Sequence, residues 1–159
     1  MPRTPEFTEV VAGTPELLFG AVKDHHEWVP TLIPHVFTDG GRHEGEGEAG
    51  SVYHYDIHED THDAHGGTPK IKMVMEDYNE STLSYVVDYQ GDPRYSHLKF
   101  HHRFLPGPEP NTTYLKWLID YSPISDDTPP PDDLVALNLP LAGFKDLAAH
   151  LESTKAEKQ

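Results

Sequence analysis

The sequence predicts an α+β fold in which a curved antiparallel sheet packs against one long C-terminal helix. Three observations carry this. Short segments between Ser51 and Tyr121 alternate apolar and polar residues with period two, and turn residues separate them. After Pro123 the apolar residues recur every three or four positions instead. Near the start, Thr14, Pro15 and Glu16 supply the cap, the first-turn proline and the acidic residue that open a helix.

Taken in order, Glu6 to Val11 reads as a strand, and a helix follows from Thr14 to about Val22. A second short helical stretch runs from Asp24 to about Leu32 and is stopped by Pro34. From Val36 the chain is punctuated by glycines at 40, 41, 45, 47 and 50. Ser51 to His58 then alternates strictly, with Tyr53, Tyr55 and Ile57 on one face and His54, Asp56 and His58 on the other. After a polar loop from Glu59 to Pro69, Ile71, Met73 and Met75 alternate with Lys70, Lys72 and Val74. The next strand sets Leu83, Tyr85 and Val87 on one face, and Gly91-Asp-Pro93 makes a turn. Leu98, Phe100, His102 and Phe104 alternate with His97, Lys99, His101 and Arg103. Pro106 to Pro110 turns the chain into a last strand, where Leu115, Trp117 and Ile119 face away from Lys116 and Asp120.

A stiff acidic linker, Asp126 to Asp133, leads to the helix. Leu134, Leu137, Leu141, Phe144, Ala148 and Leu151 describe one amphipathic face over about 20 residues, with a kink expected at Pro140. Residues 153–159 form a polar tail expected to fray. The order is one strand, two short helices, six strands and one long helix, and strands curved around a helix can leave a cavity.

A length of 159 residues makes a single domain over 1–159 the expectation. With 27 acidic and 12 basic side chains the net charge is −15, which argues against nucleic acid and anionic membrane surfaces as partners. There is no cysteine, so disulfides, thiolate metal sites and a cysteine nucleophile are excluded. No apolar run approaches the roughly 18 residues of a membrane span. Met1-Pro-Arg-Thr-Pro5 lacks the apolar core of a secretion signal, and a cytoplasmic location is expected.

Several stretches together resemble one known family. His43-Glu-Gly-Glu-Gly-Glu-Ala-Gly-Ser-Val52 is similar to a His-Glu-Gly-Glu/Asp-Trp…Gly-Ser-Ile/Val loop, and Tyr85-Val-Val with Gly91-Asp92 resembles Phe-Val-Val…Glu-Gly-Asp. Tyr95 and Ser96 through Pro106 look like a Tyr-Lys-Ser-Phe strand ending in proline. Leu115-Lys-Trp-Leu-Ile-Asp-Tyr121 is similar to Val-Lys-Trp-Thr-Leu-Glu-Tyr, and Asp146-Leu-Ala-Ala-His-Leu151 to Asp-Ile-Asp-Ala-His-Leu. These are features of the birch-pollen-allergen superfamily of plants, and within it of the major latex protein branch. The resemblance covers nearly the whole chain. It implies a helix-grip fold: seven curved antiparallel strands around a long C-terminal helix, with two short helices closing one end. It also implies a large apolar cavity that takes hydrophobic plant metabolites or hormones, in defence or stress responses. A minority of the family are enzymes of specialised metabolism that condense, cyclise or isomerise. The chain departs from the pattern in its shorter glycine loop without the usual Trp, in Pro140, and in histidines that replace aliphatic or aromatic residues.

By alternation the cavity face includes Tyr53, Tyr55, Ile57, Ile71, Met73 and Met75. It continues with Leu83, Tyr85, Val87, Leu98, Phe100, His102 and Phe104, and the helix adds Leu137, Leu141 and Phe144. The alternative is that these side chains simply fill a core. His102 lies between Phe100 and Phe104 on an otherwise apolar face and is the sharpest acid/base candidate. Tyr53, Tyr55 and Tyr85 are candidates to donate hydrogen bonds to a carbonyl or phenolate. Condensing enzymes of the superfamily use a lysine on the last strand, which points to Lys116, although alternation sets Lys116 outside. His54, Asp56 and His58 form a His-x-Asp-x-His row, but residues two apart on a strand stand about 7 Å from one another, so no metal site is favoured and His54 and His58 are weak candidates. Three glutamates in Glu44 to Gly50 would repel phosphate, so that loop is not a nucleotide site.

The leading expectation is a carrier or receptor for a small hydrophobic or phenolic metabolite. The alternative is a cofactor-independent cyclase, isomerase or Pictet-Spengler-type condensing lyase that uses His102, the tyrosines and Lys116. A protein partner that senses the ligand state through the glycine loop is a third reading. No cofactor is expected.

Overall fold

The computed structural model describes residues 3–136 and 143–157. Strand β1, Phe7–Ala12, leads into helix α1, Pro15–Ala21. Thr14 caps α1, its hydroxyl accepting the Leu17 N–H at 3.2 Å. A single 3₁₀ turn, Val22–Asp24, passes into α2, His25–Leu32, which continues through Pro30. Five further segments follow as strands: β2 Phe37–Glu44, β3 Val52–Ile57, β4 Lys70–Asn79, β5 Ser84–Gln90 and β6 Tyr95–Pro106. With β7, Thr112–Pro123, they make a seven-stranded sheet in the order β1-β7-β6-β5-β4-β3-β2. Every neighbouring pair is antiparallel, and β1 closes on β7 with Phe7 opposite Trp117.

The period-two pattern works because it sends one set of side chains to a single concave face. Tyr53, Tyr55, Ile71, Met75, Leu98, Phe100, Phe104, Leu115, Trp117 and Ile119 are all buried there. Leu18, Phe19, Val22 and Trp28 from the N-terminal helices cover that face, with Phe144 and Leu147 from the C-terminal helix. The glycine loop between β2 and β3 folds down on the same end. Gly45 and Gly47 have positive φ, and a Cβ at Gly47 would stand 2.4 Å from the Lys23 Cβ, so only glycine lets the loop lie this close. The Glu46 N–H donates to the Glu48 carboxylate at 3.0 Å and the Gly47 N–H to Ser51 Oγ at 2.8 Å. The Gly50 N–H donates to the Met75 carbonyl at 2.6 Å and ties the loop to β4.

Two details differ from the sequence pattern. Leu83 lies outside β5: it sits in the turn before the strand with φ 49°, packed against the core, where Asn79 Oδ1 accepts the N–H groups of Ser81 and Thr82 and bends the chain. The C-terminal helix α4 runs over Phe144–Glu157, with Gly143 in the turn that starts it, and a short helix α3, Asp132–Ala136, precedes it in the chain. Leu137, Pro140 and Leu141 lie outside the described residues, so the expected kink and two of the expected cavity contacts do too. Helix α4 includes Ser153 to Glu157. Among the described residues, no helix is long and apolar enough to cross a membrane.

Candidate functional site

Between the concave face, α2 and the start of α4 lies a cavity. The sheet gives it Phe37 from β2, Tyr55 from β3, Met73 from β4, Tyr85, Val87 and Tyr89 from β5, and Phe100 and His102 from β6. Helix α2 adds His25, Trp28, Val29 and Ile33 at its end, and Gly143 and Phe144 close the far side. Register explains the grouping. Tyr85 pairs with His102, Val87 with Phe100 and Met73 with Tyr89 across adjacent strands, so each pair presents neighbouring side chains to one face. Gly143 is required where it is, because a Cβ there would stand 2.8 Å from the Trp28 ring.

The space left open is about 70 Å³. That holds about five water-sized spheres, far below the large cavity that the family resemblance implies. Aromatic side chains fill the difference. Tyr85 stacks on His102 with centroids 4.4 Å apart, Tyr89 on Phe100 at 4.8 Å, and Trp28 meets Phe144 edge-on at 5.3 Å.

Among the described residues of the wall the polar side chains are histidines, tyrosines and Trp28, and none is an Asp, Glu, Lys or Arg. His25 is buried, and its Nδ1 is hydrogen-bonded to the Tyr55 hydroxyl. Burial, with added repulsion from His26, Arg42 and His102, lowers its pKa to about 3, so the ring is neutral. Burial likewise pushes the phenols of Tyr55, Tyr85 and Tyr89 well above their usual value. They act as hydroxyl donors and not as bases. Among the described residues, neither His25 Nε2 nor the Tyr89 hydroxyl meets a hydrogen-bond partner, though both atoms are buried.

Of the expected cavity residues, Tyr55, Met73, Tyr85, Val87, Phe100, His102 and Phe144 meet in this wall. Tyr53, Ile57, Met75 and Leu98 are packed in the core beside it. The Tyr53 hydroxyl donates to the Lys23 carbonyl at 2.6 Å and ties β3 to the N-terminal helices. Lys116 is not at the cavity: it alternates with buried Leu115 and Trp117 and pairs with Glu6 at 3.8 Å on the opposite face. The histidine row also comes apart. His58 lies beyond the end of β3 and its Nδ1 accepts the Asp60 N–H, whereas His54 contacts His43 across the strand pair, ring centroids 5.1 Å apart. Among the described residues no three His, Asp or Glu side chains converge as a metal site would need.

Sequence reasoning missed the α2 contribution, Phe37, Tyr89 and Gly143. The signal was there: His25, Trp28, Val29 and Ile33 recur at helical spacing, and Tyr89 continues the alternation of Tyr85 and Val87.

Comparison with known proteins agrees with this architecture. Residues 7–154 match the model of the pathogenesis-related protein Bet v 1 family. Major latex protein 146 of Papaver somniferum is 28% identical over 131 residues, spanning 80% of this chain and 77% of that protein. Ginseng major latex-like protein 151 from Panax ginseng superposes with a TM-score of 0.71, covering 94% of this chain and 96% of its own at 16% identity. Ara h 8.0201 gives 0.67 over 96% and 99% at 18% identity, and the protein XoxI of Bacillus cereus 0.66 over 92% and 93% at 17%. At these identities the structural likenesses speak for the fold alone.

Proposed function

Because the chain belongs to the pathogenesis-related protein Bet v 1 family, whose members typically bind small hydrophobic ligands, we propose that it is a carrier or receptor for a small hydrophobic or phenolic metabolite held in this cavity. The observation that carries the reading is a wall whose described side chains are aromatic and aliphatic, interrupted by a few histidines and tyrosine hydroxyls. Such a wall gains by removing apolar surface from water and orients its ligand through the few hydrogen bonds available. The present volume suits a single aromatic ring; a larger ligand would require Trp28 or Phe144 to shift. An enzymatic role is favoured by one observation, that two imidazoles, His25 and His102, share this wall. It would run as proton transfer without a cofactor, and Lys116 would have no part in it.

Native mass spectrometry after incubation with a metabolite extract of the source organism tests the reading. A bound molecule released with its mass unchanged is the result expected. New small-molecule masses that appear only with the protein present would make it an enzyme. A protein that carries nothing from the extract would overturn the cavity reading.

A further inference from the structure

We propose that His25 sets the chemical selectivity of the cavity: its ring Nε2–H receives the carbonyl oxygen of a neutral aromatic ligand. The inference rests on the cavity reading above and adds the functional group that the ligand must carry.

The tautomer follows from the partner. Nδ1 of His25 shares a hydrogen bond with the Tyr55 hydroxyl. A phenol is the better donor and an imidazole nitrogen the better acceptor, so Tyr55 donates and Nδ1 accepts. The one proton of the neutral ring therefore sits on Nε2. That atom is buried and, among the described residues, meets no acceptor, in a side chain that lines the cavity. A buried N–H without an acceptor is costly to keep, which is why such groups mark places where something binds. The ring is also held in place. Tyr53 lies against it with centroids 3.9 Å apart, and Tyr55 fixes its other nitrogen. The donor is thus oriented before any ligand arrives.

The rest of the wall narrows the ligand. Among the described residues lining the cavity none is an Asp, Glu, Lys or Arg, so a charged molecule would leave water with none of these charges to compensate it. A cation would in addition face an N–H. A neutral carbonyl meets the donor at the smallest desolvation cost. The Tyr89 hydroxyl, buried in the same wall and also unpartnered among the described residues, offers a second point of contact.

The test uses a matched pair of probes, acetophenone and α-methylstyrene, which differ in carrying C=O or C=CH₂ on the same frame. Each is titrated calorimetrically into the wild-type protein and into His25→Phe. The ratio of the acetophenone Kd to the α-methylstyrene Kd should rise about tenfold in the variant, the worth of one hydrogen bond, while α-methylstyrene itself binds much as before. An unchanged ratio would overturn the role of His25 and leave the cavity reading standing. If neither probe binds the wild-type protein, both fall. Should His25→Phe fail to fold, nitrogen-15 spectra of histidine-labelled wild-type protein decide. A His25 Nε2–H tautomer whose resonance moves with acetophenone and not with α-methylstyrene supports the assignment; an Nδ1–H tautomer, or equal shifts with both probes, overturns it.

Discussion

Burial of His25 beside Tyr53 and Tyr55 has a thermodynamic consequence at the scale of the single residue. Its pKa is about 3 in the folded chain against an ordinary 6.5, so between these values the unfolded chain binds a proton that the folded chain refuses. Stability contributed by the neutral ring is present above pH 6.5 and is lost as pH falls toward 3, by about 1.4 kcal/mol per pH unit for one proton. His65, whose pKa burial also lowers, works in the same direction. Urea unfolding measured from pH 7 down to pH 4 should therefore show a falling midpoint, and His25→Phe should flatten that slope without removing it. A variant with the full wild-type slope would mean that the buried imidazole is not what destabilises the acid form. Hydrogen bonding of His65 Nδ1 to the Thr61 carbonyl at 2.9 Å, and of His62 Nε2 to the Ile57 carbonyl at 2.8 Å, gives two more of the 12 histidines a structural role.

At the scale of elements, α4 decides whether the concave face is covered. Phe144 at its first turn meets Trp28, His102 and Phe104 with ring centroids 5.3, 6.0 and 5.4 Å away. One side chain thus joins α2, β6 and the C-terminal helix. Phe144→Ala should destabilise the fold by about 3 kcal/mol, read as a lower denaturation midpoint. It should also open the cavity and change the emission of Trp28, which it touches. A loss near zero would mean that α4 closes over the gap and that Leu147, Ala148 and Leu151 suffice to hold the helix. The apolar spacing from Leu134 to Leu151 announced a helix here, and the burial of Leu134, Phe144 and Leu147 agrees with that spacing. The turn at Gly143 was not legible, because the glycine answers to the Trp28 ring from another element and not to its sequence neighbours. Leu83 shows the same limit in the sheet. It keeps the alternation of β5 yet belongs to the turn, since Asn79 hydrogen bonds close the hairpin one residue later than the pattern suggests.

Over the whole molecule the charge is uneven in sign, 27 acidic against 12 basic side chains. Ion pairs such as Arg42–Asp24 at 2.9 Å and Arg94–Asp92 at 2.6 Å engage some of the cations locally, which leaves a general self-repulsion of carboxylates. Added salt should stabilise the protein as the screening length drops from about 30 Å to about 8 Å, seen as a rising thermal midpoint in sodium chloride. A falling midpoint would mean that the attractive pairs outweigh the net charge.

What the sequence determined by itself is the class of fold and the face each strand buries. Both follow from local periodicity: side chains alternate on a strand and recur every three or four on a helix, so the pattern is written in neighbours. The family resemblance, carried by the glycine loop, the Lys116-Trp117 strand and the Asp146 to Leu151 ending, belongs to the same level. Only the tertiary structure decided which buried residues reach the cavity and which fill the core. Tyr53 and Tyr55 stand two residues apart on one face, yet one hydroxyl is used by the Lys23 carbonyl and the other by His25 at the cavity wall. That distinction depends on where α2 lands on β3, a contact between segments some thirty residues apart that no local pattern encodes. The volume left over is decided in the same way, as the small remainder of many aromatic rings packed from separate elements.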